Sequence, residues 1–251
     1  MPDSCDPHVS YRRDGALLIL HINRPEKKNA LTQTMYRALT AGILHGEENP
    51  EVRVIILHGA GECFSSGNDI NDFVAQVNPG SEPASVGFMK ALLQARKPLV
   101  AAVNGPAIGI GVTMLLHCDL VYAGRDAYLQ MPFTRLGLCP EAGSSFLAPM
   151  LMGHQRAAEL LLLGDRISSE VACQYGLVNA VLDNDAVLAH TLERAQALAA
   201  LPAEAVQTTK HLLKRSQLSL VDEAMRLELV NFARLLGTEE AQSTLQAFLS
   251  R

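Results

Sequence analysis

Positive charge is in short supply: 21 Lys and Arg stand against 26 Asp and Glu, a formal net charge of −5. No whole-protein basic field exists to attract nucleic acid or an acidic membrane surface, so an anionic ligand needs a local patch. The five cysteines (Cys5, Cys63, Cys118, Cys139, Cys173) are odd in number and contain no CxxC pair. That pattern argues against a metal site or a disulfide framework and fits a reducing compartment. The opening MPDSCDPHVS lacks the basic and apolar regions of a signal peptide, and the final FLSR is not a peroxisomal tripeptide. No apolar run approaches the ~18–20 residues of a membrane span. A bacterial cytoplasm is the expected location. Two catalytic signatures are also missing. No Gly-Lys-Ser/Thr follows the glycine-rich segments, and no G-x-S-x-G elbow surrounds Ser144 or Ser145.

What is present is an ordinary globular balance, 48% hydrophobic and 19% charged, over 251 residues. A chain of this size forms one large domain, or a domain with an appendage, and buries roughly 70–75% of its unfolded surface. Apolar runs predict strands over 16–22, 52–57, 98–103, 119–124 and 179–182. They are nearly continuous rather than alternating, as in strands buried on both faces. Helical spacing fills the gaps. Thr32 can cap a helix carrying Met35, Leu39 and Ile43, and further helices are predicted near 84–95, 109–117, 144–151, 155–163 and 168–175. The class is α/β with parallel pairing. After about residue 185 only helix-period segments remain, which divides the chain into a 1–185 core and a 186–251 helical module able to oligomerise. The stretch QVNPGSEPASVG (76–87) reads as a loop.

Three segments could carry chemistry. GAGECFSSGNDI (59–70) follows a strand, and its small residues let backbone N–H groups face a ligand; it reads equally as a tight turn. In VNGPAIGIGVTMLLHCDL (103–120), Gly109 and Gly111 flank Ile110 where a helix starts. The first N–H groups of a helix have no internal partner and lie at its positive end, so they suit an oxygen gaining negative charge. His117, Cys118 and Asp119 at the end of that segment read better as packing and capping than as a metal site, and Cys139 as a packed thiol. The third segment, LGLCPEAGSS (136–145), places a single carboxylate, Glu141, in a run with no other charge. It is either a loop acid facing water or a carboxylate kept dry to move protons.

Taken together, HINRPEKKNALT (21–32), FSSGNDI (64–70), KPLVAAVNGPAIGIG (97–111), CDLVYAG (118–124) and RISSEVACQYGLVNAV (166–181) resemble the enoyl-CoA hydratase/isomerase (crotonase) superfamily over essentially the whole chain. The resemblance implies a spiral of strand-strand-helix units followed by helices that build trimers, commonly paired into hexamers. It implies an acyl-CoA thioester substrate, with coenzyme A entering as part of the substrate and no separate cofactor. Two oxyanion-hole N–H groups fall on Ser66 and Ile110. Ser66, Gly67, Asn68, Asp69 and Ile70 resemble the stretch lining the adenine end, and Lys27 and Lys28 lie where the family holds the CoA nucleotide. Phe232 and Arg251 match residues that reach a neighbouring subunit's CoA site. Hydratases of this family carry two glutamates, but the matching positions here are Thr113 and Phe133, which cannot exchange protons at neutral pH. TRLGLCPEAGSS instead resembles the peroxisomal-type 3-enoyl-CoA to 2-enoyl-CoA isomerases, where one glutamate in a PEG segment is the base; Ala142 replaces that glycine, with Gly143 next. The implied catalytic set is Glu141 with Ser66 and Ile110. A hydratase, another enolate reaction, and a non-catalytic CoA- or RNA-binding role remain alternatives, the last disfavoured for RNA by the acidic charge.

Overall fold

The computed structural model describes residues 4–71 and 83–249. Most of the loop expected at 76–87, and Arg251, lie outside these residues. Nine strands are described: β1 (Val9–Asp14), β2 (Leu17–Ile22), β3 (Val54–Gly59), β4 (Leu99–Val103), β5 (Ala107–Ile108), β6 (Leu120–Gly124), β7 (Tyr128–Gln130), β8 (Arg166–Ser168) and β9 (Ala180–Leu182). The first sheet runs β1-β2-β3-β4-β6-β9 and the second β5-β7-β8. From β2 to β9 the first sheet is parallel, while β1 pairs antiparallel with β2. All five expected strands are present within two residues of their expected ends. The four others were not legible. β1 is an edge strand whose VSYRRD exposes most of its side chains, and β5, β7 and β8 have only two or three residues each.

Helices α1 (Gln33–Glu48) and α2 (Ala84–Gln94) cover one face of the first sheet. Thr32 caps α1 as expected, its hydroxyl accepting the Met35 N–H at 3.2 Å. Met35, Leu39 and Ile43 lie fully buried against Leu18, Leu20, Ile55 and Leu57. The alternate residues Leu17, Ile19, Val54, Ile56 and Val100 point to the other face, beneath helix α7 (Val187–Ala199). Both faces are therefore dry, which is why these strands read as continuous apolar runs. Short α3 (Ile110–Thr113) runs on as a 3₁₀ turn to His117, and α4 (Ser144–Met152), α5 (His154–Leu163) and α6 (Ser169–Gln174) follow.

Beyond residue 185 the chain is helical, as expected: α7, α8 (Ala203–Lys214), α9 (Leu218–Leu236) and α10 (Glu239–Leu249). It does not stand apart from the core. Ala195 of α7 closes one face of the sheet, and Val221, Met225 and Phe232 of α9 join the main hydrophobic cluster. The boundary near 185 marks a change of pattern rather than two separately packed bodies. No helix among the described residues is long and apolar enough to cross a membrane.

On the α7 side, His21 and His58 stack with ring centroids 5.1 Å apart. Burial lowers the pKa of His58 to about 4, helped by His21 and Arg12. A histidine held neutral in the fold takes up a proton only in the unfolded chain as pH drops below 6.5, so stability is lost between 6.5 and 4. Each such group adds a slope of about 1.4 kcal/mol per pH unit. The melting temperature should fall across that window, and His58→Gln should flatten the fall; an unchanged slope would show that His58 does not set it.

Candidate active site

Two loops are clamped together by Asn29. Its side-chain amide donates to the Ala60 and Cys63 carbonyls at 2.9 and 2.6 Å, and its Oδ1 accepts the Arg24 N–H at 2.8 Å. Its own carbonyl accepts the Ser65 hydroxyl at 2.9 Å. Lys28 and Asn29 are consecutive left-handed residues, with φ of 50° and 56°. Asn tolerates that region better than most side chains because of local hydrogen bonding. The Arg24 guanidinium pairs with Asp69 at 2.6 Å, tying the same two loops at their outer end.

The loop carrying Ser66 lies beside the start of α3. Ile108 N–H donates to the Ser65 carbonyl at 2.9 Å, and a Cβ on Gly111 would stand 2.7 Å from that oxygen, so only glycine allows this approach. Gly109, at φ 57°, turns the chain into the helix. Among the described residues Ile110 N–H has no acceptor, as expected of a helix start. The second expected donor, Ser66 N–H, already has an acceptor. Ser66 N–H donates to the Lys28 carbonyl at 2.9 Å, because the two left-handed residues turn that carbonyl towards it.

Glu141 occupies the turn between a 3₁₀ segment (Thr134–Leu136) and α4. It is 8% exposed, and its Oε1 is buried with no hydrogen-bond partner. Burial, then the nearby Glu228 carboxylate, raises its pKa to about 8. The solvated-loop reading therefore fails. The turn itself is firmly held: Ser144 donates N–H and hydroxyl to the Glu141 carbonyl at 3.0 and 2.6 Å, and His117 Nε2 meets the Ala142 carbonyl at 2.7 Å. Ala142 takes φ 58°, a left-handed conformation that glycine adopts more readily. One short helical stretch thus connects the Ile110 N–H, through His117, to the turn that carries Glu141. Thr113 lies on that stretch, and its Oγ1 is a second buried oxygen without a partner. An unpaired buried polar atom costs about 1–3 kcal/mol, so each of these oxygens is one that a bound ligand could satisfy.

Lys27 and Lys28 are exposed, and their carbonyls face Ser66: the Lys27 oxygen takes its hydroxyl at 3.4 Å and the Lys28 oxygen its N–H. Gly67 bonds through its carbonyl to Leu31 N–H, and Asn68 accepts the Tyr36 hydroxyl at 2.6 Å. Ile70 is half-buried beside Asp69. Phe232, expected to reach a neighbouring subunit, is 9% exposed and packed in its own chain's main hydrophobic cluster. Cys139 is a packed thiol as expected, pushed up in pKa by burial and the Glu228 charge. Asp119 accepts Leu99 N–H and the Lys210 ammonium, a structural role. Sequence reasoning missed Arg24, Asn29 and Glu228. An Asn in a turn next to a strand was the available sign for Asn29; Glu228 had none, being 87 residues from Glu141 on a polar-looking helix position.

The chain belongs to the enoyl-CoA hydratase/isomerase family, whose profile matches residues 12–251. It is 32% identical over 244 residues to enoyl-CoA delta isomerase 2 of Rattus norvegicus, covering 95% of this chain and 62% of that protein. It is 31% identical over 248 residues to 1,2-epoxyphenylacetyl-CoA isomerase of Escherichia coli, covering 95% of this chain and 94% of that one. The solved structure of Pseudomonas aeruginosa OdaA superposes with a TM-score of 0.95 at 42% identity, covering 98% of this chain and all of the other. The fold is therefore that of the crotonase superfamily, and the chain is an enzyme of that family.

Replacing Asn29 by Ala orphans the Cys63 carbonyl of a buried bond, together with the part-buried Ala60 carbonyl and Arg24 N–H. Asn29→Ala should cost about 3 kcal/mol or more, seen as a melting temperature lower by roughly 6–12 °C. A change of a degree or two would mean that the loops hold without it.

Proposed function

We propose that the chain is an isomerase that converts a 3-enoyl-CoA into the conjugated 2-enoyl-CoA, using Glu141 as its sole proton carrier. The observation that carries this reading is a dry, unpartnered carboxylate at Glu141 with no acid at Thr113 or Phe133. The thioester carbonyl binds at Ile110 N–H, and Ser66 N–H joins it by sharing or releasing the Lys28 carbonyl. Glu141 takes a proton from the α-carbon, leaving a dienolate whose oxygen these donors stabilise. The same carboxyl then protonates the γ-carbon. Every proton and electron pair stays within substrate and Glu141, so the reaction itself calls for no metal or redox cofactor. One oxyanion donor contributes roughly 10²–10³ in rate and a positioned base about 10²–10⁴. Exposed Lys27 and Lys28 supply positive charge beside the same mouth for the nucleotide phosphates. The delta-isomerase relatives support the reading; bond migration within fatty-acid breakdown is its natural setting.

Glu141→Gln keeps size and polarity but cannot accept a proton. Turnover of a 3-enoyl-CoA should fall by about 10²–10⁴, with affinity for a saturated acyl-CoA unchanged. In deuterated buffer the wild type should exchange α- or γ-protons, and the variant should not. Since only ionised Glu141 acts as base, wild-type kcat/KM should climb with pH and level off near its pKa of about 8. Near-normal isomerisation by Glu141→Gln would overturn the mechanism, and consumption of 2-enoyl-CoA by water addition would favour a hydratase.

Assembly forms a second part of the proposal. Leu212, Leu213, Leu220, Leu227 and Val230 on α8 and α9 are exposed apolar side chains. We infer that they are covered in a trimer or a pair of trimers. Gel filtration should show three or six times the monomer mass, and a monomer that still turns over substrate would rule the assembly out.

A further inference from the structure

Helix α4 starts at Gly143, which sits at φ 72° and has no side chain with which to cap the helix. The cap comes from elsewhere. Glu228, on the buried stripe of α9 with Val221, Met225 and Phe232, reaches across to the helix start. Its Oε2 accepts Gly143 N–H at 2.6 Å, and its Oε1 accepts both the N–H of Ser145, at 2.8 Å, and the Ser145 hydroxyl. A carboxylate there satisfies N–H groups that the helix leaves free and faces the positive end of its dipole. Glu228 is only 7% exposed, and the residues it holds begin two positions after Glu141.

We propose that Glu228 is a positioning residue for the Glu141 base: it fixes the turn from α9 and, by its own negative charge, keeps Glu141 a strong proton acceptor. This rests on Glu141 being the base. Two carboxylates buried in one region resist ionising together, so whichever ionises first strengthens the other's hold on its proton. Three donors on Glu228 against none on Glu141 Oε1 decide the order, and Glu228 carries the charge. Burial raises both groups, and the hydrogen bonds from Ser145 and Gly143 act against it at Glu228 alone. The other groups facing the pair are few. Cys139 lies between them with a thiol donating to the Glu228 carbonyl, and His117 is neutral, its pKa lowered to about 4 by burial. Arg234, farther along α9, forms no ion pair with either carboxylate among the described residues.

The test is the pH dependence of kcat/KM on a 3-enoyl-CoA for wild type, Glu228→Gln and Glu228→Asp, with saturated acyl-CoA affinity measured alongside. Glu228→Gln removes the charge and keeps an oxygen for Ser145, so the rise with pH should move down by about one unit. Glu228→Asp keeps the charge but draws it back by one methylene. Its rise should stay within a few tenths of a unit of wild type, while its plateau drops roughly tenfold or more because the turn is loosened. Acyl-CoA affinity should hold in both. A rise in Glu228→Gln that coincides with wild type overturns the charge role, and a wild-type plateau in Glu228→Asp overturns the positioning role. Should Glu228→Gln not fold, a shifted rise in Glu228→Asp would itself refute the charge role. Activity retained by Glu141→Gln is a separate failure, that of the base assignment.

Discussion

A carboxyl group kept from water is the constraint around which this protein is arranged. Glu141 belongs, by ordinary solvation, at the surface; buried, its ionised form is disfavoured and its proton affinity climbs. The fold tolerates this only because the turn around it is anchored on three sides, by Ser144, His117 and Glu228. Those anchors originate in three separate parts of the chain. A carboxylate placed this way is destabilised as an anion, which suits the proton-carrying role proposed for it.

The other half of the site is built by a different device. Parallel strands β3 and β4 deliver two loops to the same end of the sheet, and glycines let their backbones approach to within contact. In the proposed reaction the backbone N–H groups are the atoms that meet the thioester oxygen. At Ile110 the helix start leaves such a group open, whereas at Ser66 the Lys28 carbonyl already occupies it. The two N–H groups are thus unequal, and in the proposed mechanism Ser66 has to share or exchange its partner to meet the substrate.

How far the sequence led depended on the range of the interactions. The five central strands were legible because burial on both faces writes itself as an unbroken apolar run, and α1 because its cap and its apolar stripe are local. Glu141 was conspicuous as a lone charge in an apolar segment. Edge strand β1 was not, since VSYRRD is mostly exposed, and the two- and three-residue strands carry no period at all. Glu228 lay beyond local reasoning because its partners are more than 80 residues away. The packing of Phe232 in its own core was hidden for a related reason: an apolar helical stripe does not say whether it covers its own core or a neighbour's.

The contact between His117 and Ala142 has one more consequence. A carbonyl oxygen can only accept, so Nε2 must carry the proton, which fixes the imidazole as the Nε2–H tautomer with Nδ1 bare. With its pKa lowered to about 4, the ring stays in that form through the whole interval in which Glu141 titrates. Glu141 can gain and lose a proton while the tether beside it changes neither charge nor hydrogen-bond direction. The turn that holds Glu141 is therefore electrically inert on the side of His117, and the neighbouring charge that raises its proton affinity is that of Glu228.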